Sequence, residues 1–307
     1  MEKLDRLIQT VDYKILLPAM ARLPLICGEN LSKLRGVMMA ALDYDWRYLA
    51  LRQRCVREKT YEAMRIIMPD AGKARWNSCT LDRFIHNSRE EWQSSLFGRE
   101  IMSTIARLSS IDGLQDLLGF NGNGRGLVMV SCHFDSFCMG MVLFGMKGLP
   151  TNVINTVMIE DARIHPAVRS YFKKKYRNME NRMGGKMVYY QVDLPFFYRA
   201  LQRGEIVTLM GDIPGSKSDI FIPFLGRRFR MPVGAWHMAK KTESLLGAFV
   251  CVHEAPGKYR VICLPPKDID PESPRKTLEP VYAFLESWIR KMPGRWVAAD
   301  LLPSYGG

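Results

Sequence analysis

The chain has 307 residues, 47% of them apolar and 24% charged, with a formal net charge of +13. This composition excludes a disordered or fibrous protein and leaves enough chain to bury a large core. So positive a surface favours anionic partners: phospholipid headgroups, phosphorylated sugars, nucleic acid or an acidic carrier protein.

Residues 1 to about 110 read as helical. Apolar positions recur at helical spacing in "LSKLRGVMMAALDYDWRYLALRQ" and in "EEWQSSLFGREIMSTIARLSSIDGLQDLLG". The opening "MEKLDRLIQTVDYK" has neither the apolar core nor the cleavage site of a signal peptide. "ILLPAMARLPLIC", residues 15 to 27, is too short to span a bilayer and is interrupted by Pro18, Arg22 and Pro24. It fits a membrane interface and a core-packing helix equally well. Gly119, Gly122, Gly124 and Gly126 then break the helical pattern with a loop.

From Leu127 the texture changes to strands alternating with helices. "LVMVSC", "TNVINTVMI", "KMVYYQV", "EIVTLMGD", "IFIPF", "LLGAFVCVHE" and "YRVICLPP" read as strands. "FCMGMVLFGMKG", "HPAVRSYFKKKYRNMENR", "PFFYRALQRG", "VGAWHMAKKTE" and "PRKTLEPVYAFLESWIRK" read as helices. The alternation predicts an α/β fold, a mixed sheet flanked by helices. With no repeat and no long linker, the expected organisation is one domain: a helical layer over residues 1–126 and an α/β core over 127–307.

Seven cysteines, at irregular spacing and with no C-x-x-C pair, read as reduced thiols in a cytoplasmic compartment. No group of residues has metal-ligand spacing, and no Walker-type or dinucleotide-binding glycine motif occurs. No bound cofactor is therefore expected.

The chemistry concentrates in "SCHFDSFCMG", where the first apolar strand ends at His133. Ligands bind at the carboxyl ends of strands in such sheets, and an unperturbed imidazole, with a pKa near ~6.5, suits general-base work there. Asp135 and Ser136 have a bland alternative as helix N-caps. A Ser-His-Asp hydrolase is not indicated: there is no G-x-S-x-G elbow, and residues so close in sequence do not readily form the triad. Cys138, in the first turn of the next helix and near His133, reads as a nucleophile or as a small buried apolar residue.

His133 at a strand end resembles the lysophospholipid acyltransferase superfamily, in particular its bacterial lipid A biosynthesis (lauroyl/myristoyl) branch, whose motif is His-x4-Asp/Glu. Residues 201–250, "LQRGEIVTLMGDIPGSKSDIFIPFLGRRFRMPVGAWHMAKKTESLLGAFV", are similar to that branch's downstream block. The ending "ESWIRKMPGRWV" and the N-terminal layer also resemble it. The resemblance implies acyl transfer from a thioester, on acyl carrier protein or coenzyme A, to a hydroxyl or amine. His133 would take the acceptor's proton, and an acid would orient the imidazole. Here the acid's position holds Cys138. Three readings follow: Asp135 supplies the carboxylate, Asp212 supplies it from the end of another strand, or the site is weakened or repurposed.

Gly215 and Lys217, in the loop after Asp212, are candidates to meet an anionic donor or acceptor. Arg182, before the Gly184–Gly185 turn, and Arg228, within "GRRFR", are further substrate-binding candidates; a solvated surface role is the alternative for each. The basic stretch from Val168 to Arg182 suits an acidic carrier protein or membrane phosphates. The expected location is cytoplasmic, with peripheral contact on the inner face of an anionic inner membrane. A non-catalytic homologue that binds acyl chains or acyl carrier protein, and an enzyme repurposed for a soluble specialised metabolite, are the competing readings. Nucleic acid is not expected, because no recognition module accompanies the charge.

Overall fold

The computed structural model describes residues 2–47, 55–122, 124–213 and 220–305. The N-terminal layer consists of α1 (Glu2–Val11), a π-helical turn (Asp12–Leu16), α2 (Leu17–Met20), α3 (Leu25–Ala41), α4 (Val56–Ile67), α5 (Lys73–Ser94) and α6 (Ile101–Leu108). The end of the first helical reading, beyond residue 47, lies outside the described residues. The apolar segment 15 to 27 divides between its two readings. Leu17, Met20 and Ala21 enter the core, while Ile15 and Ile26 remain 61% and 60% exposed.

The sheet starts earlier than the sequence suggests. The short β1 (Ser110–Ile111) precedes α7 (Leu114–Gly122) and pairs with the last strand at the sheet's edge. Then follow β2 (Leu127–Ser131), α8 (Phe137–Met146), β3 (Thr151–Asn155), α9 (Pro166–Met183), β4 (Met187–Tyr189), α10 (Tyr190–Gln202) and β5 (Ile206–Met210). A hairpin of β6 (Ile220–Phe224) and β7 (Arg227–Met231) leads to α11 (Gly234–Thr242), β8 (Leu245–Ala255), β9 (Lys258–Lys267) and α12 (Pro274–Lys291). Seven strands form one mixed sheet in the order β1-β9-β8-β2-β5-β3-β4. All its pairs are parallel except β8 with β9.

Two strands are shorter than read. "TNVINTVMI" is strand only to Asn155, and the strand in "KMVYYQV" stops at Tyr189, where α10 begins. "RRFRM", which holds the candidate Arg228, was not among the strands read and is one. It pairs antiparallel with β6 around Leu225 and Gly226, both at positive φ, as a tight right-twisting hairpin turn requires. The pair forms a separate two-stranded sheet. Its inner face (Ile222, Phe224, Phe229, Met231) is buried and its arginines point outward.

β2 is central, and all five of its residues are buried, as expected for a parallel strand covered on both faces. Side chains alternate between two cores. Leu127 and Met129 face α8 and α9, while Val128 and Val130 face α11 and α12. Gly140 lets α8 lie close on β8, since a Cβ there would stand 2.8 Å from Cys251 Cβ. β2 leads into α8 on one face, and its neighbour β5 leads to the hairpin and α11 on the other. Adjacent strands whose connections diverge open a crevice at their carboxyl ends, the usual ligand position in such sheets.

Candidate active site

His133 and Asp212 stand at that crevice. β2 and β5 are paired with Ser131 opposite Met210. Two residues past the end of each strand stand His133 and Asp212, so the register carries the two side chains opposite one another. His133 Nδ1 lies 2.8 Å from Asp212 Oδ1. The His133 backbone N–H donates to Asp212 Oδ2 at 2.7 Å, and Trp296 Nε1–H donates to the same oxygen at 2.8 Å. Tyr305 O–H donates to the Asp212 backbone carbonyl. Asp212 is 1% exposed, whereas the His133 side chain is 26% exposed. The acid is thus fixed from several sides, and the imidazole has one edge on the acid and access to solvent. Because a carboxyl oxygen accepts from Nδ1–H, Nε2 carries the free lone pair. The Phe137 ring meets the imidazole edge to face, centroids 4.8 Å apart.

The segment after His133 is stitched into its surroundings. Val297 N–H donates to His133 O, Asp135 N–H to Arg295 O, and Ser136 N–H to Cys251 O, at 2.8, 2.8 and 3.2 Å. Asp135 adopts φ 50°, a left-handed conformation that aspartate tolerates better than most residues. Its carboxylate does not cap α8. It accepts from Arg89 at 2.5 Å, from Arg295 at 2.7 Å and from the His253 N–H at 3.0 Å. Burial works against its charge, but Arg89, His86 and Arg295 together hold the carboxyl far below the usual range. Among the described residues, no hydrogen bond joins Asp135 to the His133 imidazole.

Cys138 is 4% exposed, and burial followed by the neighbouring Glu90 carboxylate pushes its thiol well up, so it remains protonated. Arg182 donates to the carbonyls of Phe97 and Arg99, both at 3.0 Å, and so ties the end of α9 to the loop after α5. Arg228 lies on the exposed face of the hairpin, its guanidinium 6.0 Å from the Phe221 ring centroid. Arg227, Arg228 and Arg230 form no ion pair among the described residues. Gly215 and Lys217 lie outside the described residues. The structure therefore brings together His133 and Asp212, and sets Asp135, Cys138, Arg182 and Arg228 in other surroundings.

Sequence reasoning missed Trp296 and Tyr305, which hold Asp212, and Arg89 and Arg295, which hold Asp135. Trp296 and Arg295 fall within "KMPGRWV", a stretch that carries part of the resemblance, but no local pattern assigns them a partner. Among the described residues, no group of three His, Cys, Asp or Glu is arranged to hold a metal ion.

A strand-end histidine backed by a buried acid thus stands on a mixed sheet flanked by helices. The profile of the bacterial lipid A biosynthesis acyltransferases matches residues 82–298. The chain belongs to this family. It is similar to the lipid A biosynthesis lauroyltransferase of Escherichia coli (strain K12), with 26% identity over 169 residues, 53% of this chain and 51% of that protein. The match thus spans about half the length of that curated relative.

Proposed function

We propose that this protein transfers an acyl group from a thioester, on acyl carrier protein or coenzyme A, to a hydroxyl or amine of a lipid-like or carrier-bound acceptor. His133 is the general base and Asp212 orients it. The observation that carries this reading is the 2.8 Å contact between His133 Nδ1 and a buried, fully engaged Asp212. Nε2 accepts the acceptor's proton as its oxygen or nitrogen attacks the thioester carbonyl. The tetrahedral intermediate collapses, the C–S bond breaks, and the imidazolium returns the proton to the leaving thiolate. Asp212 stabilises the imidazolium between these two transfers. No covalent enzyme intermediate is needed, which suits the protonated state of Cys138.

The surroundings suit an amphiphilic acceptor. Exposed apolar side chains follow the carboxyl ends of β3, β4 and β5: Met158, Val192 and Ile213, at 38%, 73% and 41%. The exposed arginines of the hairpin begin shortly after Asp212. This favours peripheral contact with an anionic bilayer on its cytoplasmic face, or an acidic carrier protein delivering the acyl chain. Among the described residues, no helix is long and apolar enough to cross a membrane.

The test is acyl transfer from lauroyl-acyl carrier protein, the lauroyl group being that named for the similar enzyme, to a panel of lipid and soluble acceptors. His133→Ala should abolish product formation with the thermal midpoint unchanged. Wild-type turnover in that variant would remove His133 as the base.

A further inference from the structure

We infer that Glu90 and Lys175 are positioning residues for His133, acting through the ring of Phe137; this rests on the reading of His133 as the base. The two residues come from α5 and α9 and meet behind the first turn of α8. Lys175 Nζ donates to Glu90 Oε1 at 2.8 Å, and Ser94 Oγ donates to the same oxygen at 2.8 Å. The buried Cys138 thiol lies near enough for the Glu90 carboxylate to push its pKa further up. The Lys175 and Glu90 side chains are 4% and 7% exposed.

The pair reaches towards the site. The Lys175 ammonium sits 5.7 Å from the Phe137 ring centroid and 5.6 Å from that of Phe172. Phe137 in turn presses on the imidazole, centroids 4.8 Å apart at 65°. A cation held near an aromatic ring within about 6 Å attracts its π-cloud and restrains the ring. Asp212 holds Nδ1 and Phe137 packs against the ring, so the two contacts together restrain the orientation of His133.

Packing alone does not account for these charges. Desolvating both ions is costly, and an apolar pair of similar volume usually serves packing as well or better. The pair also explains Cys138. A carboxylate at 138 would meet that of Glu90 in a dry interior, where two like charges resist joint ionisation. A neutral thiol fits beside Glu90 without adding a second charge. The negative charge next to α8 thus comes from α5 and is neutralised by Lys175, and the charge that reaches His133 comes from Asp212.

The test replaces the pair by Glu90→Met with Lys175→Met. The double variant should fold with an unchanged or higher thermal midpoint. The decisive readout is the ¹⁵N NMR of the His133 imidazole, which reports its tautomer without any substrate. In the folded variant the single Nδ1–H form should give way to a mixture. kcat with lauroyl-acyl carrier protein should fall roughly 10- to 100-fold at unchanged KM, the scale of a slight misplacement of a catalytic group. Phe137→Leu should give the same pattern. Unchanged His133 resonances in the folded double variant would overturn the inference. If that variant does not fold, Glu90→Gln with Lys175→Gln is read in the same way. Altered resonances with wild-type turnover would support positioning and remove His133 as the base, so the two readings fail separately.

Discussion

Asp135 and Asp212 invite comparison. Both stand past strand ends at the same edge of the sheet, both are 1% exposed, and both accept a backbone N–H. Their partners differ. Asp135 faces the guanidinium groups of Arg89 and Arg295, so its charge is met in place. Asp212 faces an indole N–H, a peptide N–H and one imidazole edge. Those donors fix its geometry without opposing its charge, which remains available when His133 gains a proton. A buried carboxylate between arginines builds structure, whereas one among neutral donors is free to serve the chemistry proposed for His133.

The largest expected effect that separates the two comes from Asp212→Asn. The amide oxygen can still accept from Trp296 and the His133 N–H, but the amide N–H₂ would donate to Nδ1. This forces the proton onto Nε2 and removes the free lone pair. By analogy with the acid of a serine-protease triad, kcat should fall about 10⁴-fold with little loss of stability. Asp135→Asn should do the reverse. It leaves two guanidinium groups short of a buried counter-charge, at about 3 kcal/mol, which lowers the thermal midpoint by roughly 5 °C. Turnover per folded molecule should change much less. A comparable stability loss in Asp212→Asn, with turnover intact, would blur the contrast.

Acid sharpens the same comparison. The folded-state pKa of Asp135 is depressed far below its unfolded value of about 3.9. Between these values the unfolded chain binds more protons than the folded one, so stability falls as pH falls. The stability that Asp135 supplies is fully present above about pH 5 and is lost progressively below about pH 4. Urea titrations of wild type and Asp135→Asn should therefore converge as pH drops through that range; parallel curves would show that the arginines do not act through its charge. The smallest effect is that of Trp296→Phe, which removes one donor to Asp212 and leaves the His133 N–H in place. About 1 kcal/mol of alignment, or roughly fivefold in kcat, is expected in steady-state assays.

The two aspartates also mark what the sequence makes legible. An apolar run ending at His133 and another ending at Asp212 announce strand ends at a ligand-binding edge, and both residues were candidates on that ground. Their pairing was one of three open readings, because it depends on β5 lying between β2 and β3, which no local pattern shows. For Asp135, a helix cap and a carboxylate for His133 were the open readings, and its contact with arginines was hidden by distance along the chain. Its partners Arg89 and Arg295 lie 46 and 160 residues away. From Asn87 to Ser94 every side chain of α5 is buried, and all but Trp92 are polar. Hydrophobic periodicity cannot reveal such a face, because its burial is stabilised by ion pairs and hydrogen bonds to other helices rather than by apolar surface. The hairpin strand "RRFRM" was hidden likewise, since only two of its five residues are buried and arginines occupy the rest.

The central claim is that Asp212 orients His133 for acyl transfer, and the most direct measurement is kcat of Asp212→Asn with lauroyl-acyl carrier protein beside its thermal midpoint. The account predicts a fall of about 10⁴-fold with the midpoint held. Turnover within a few-fold of wild type in a folded Asp212→Asn protein would contradict it.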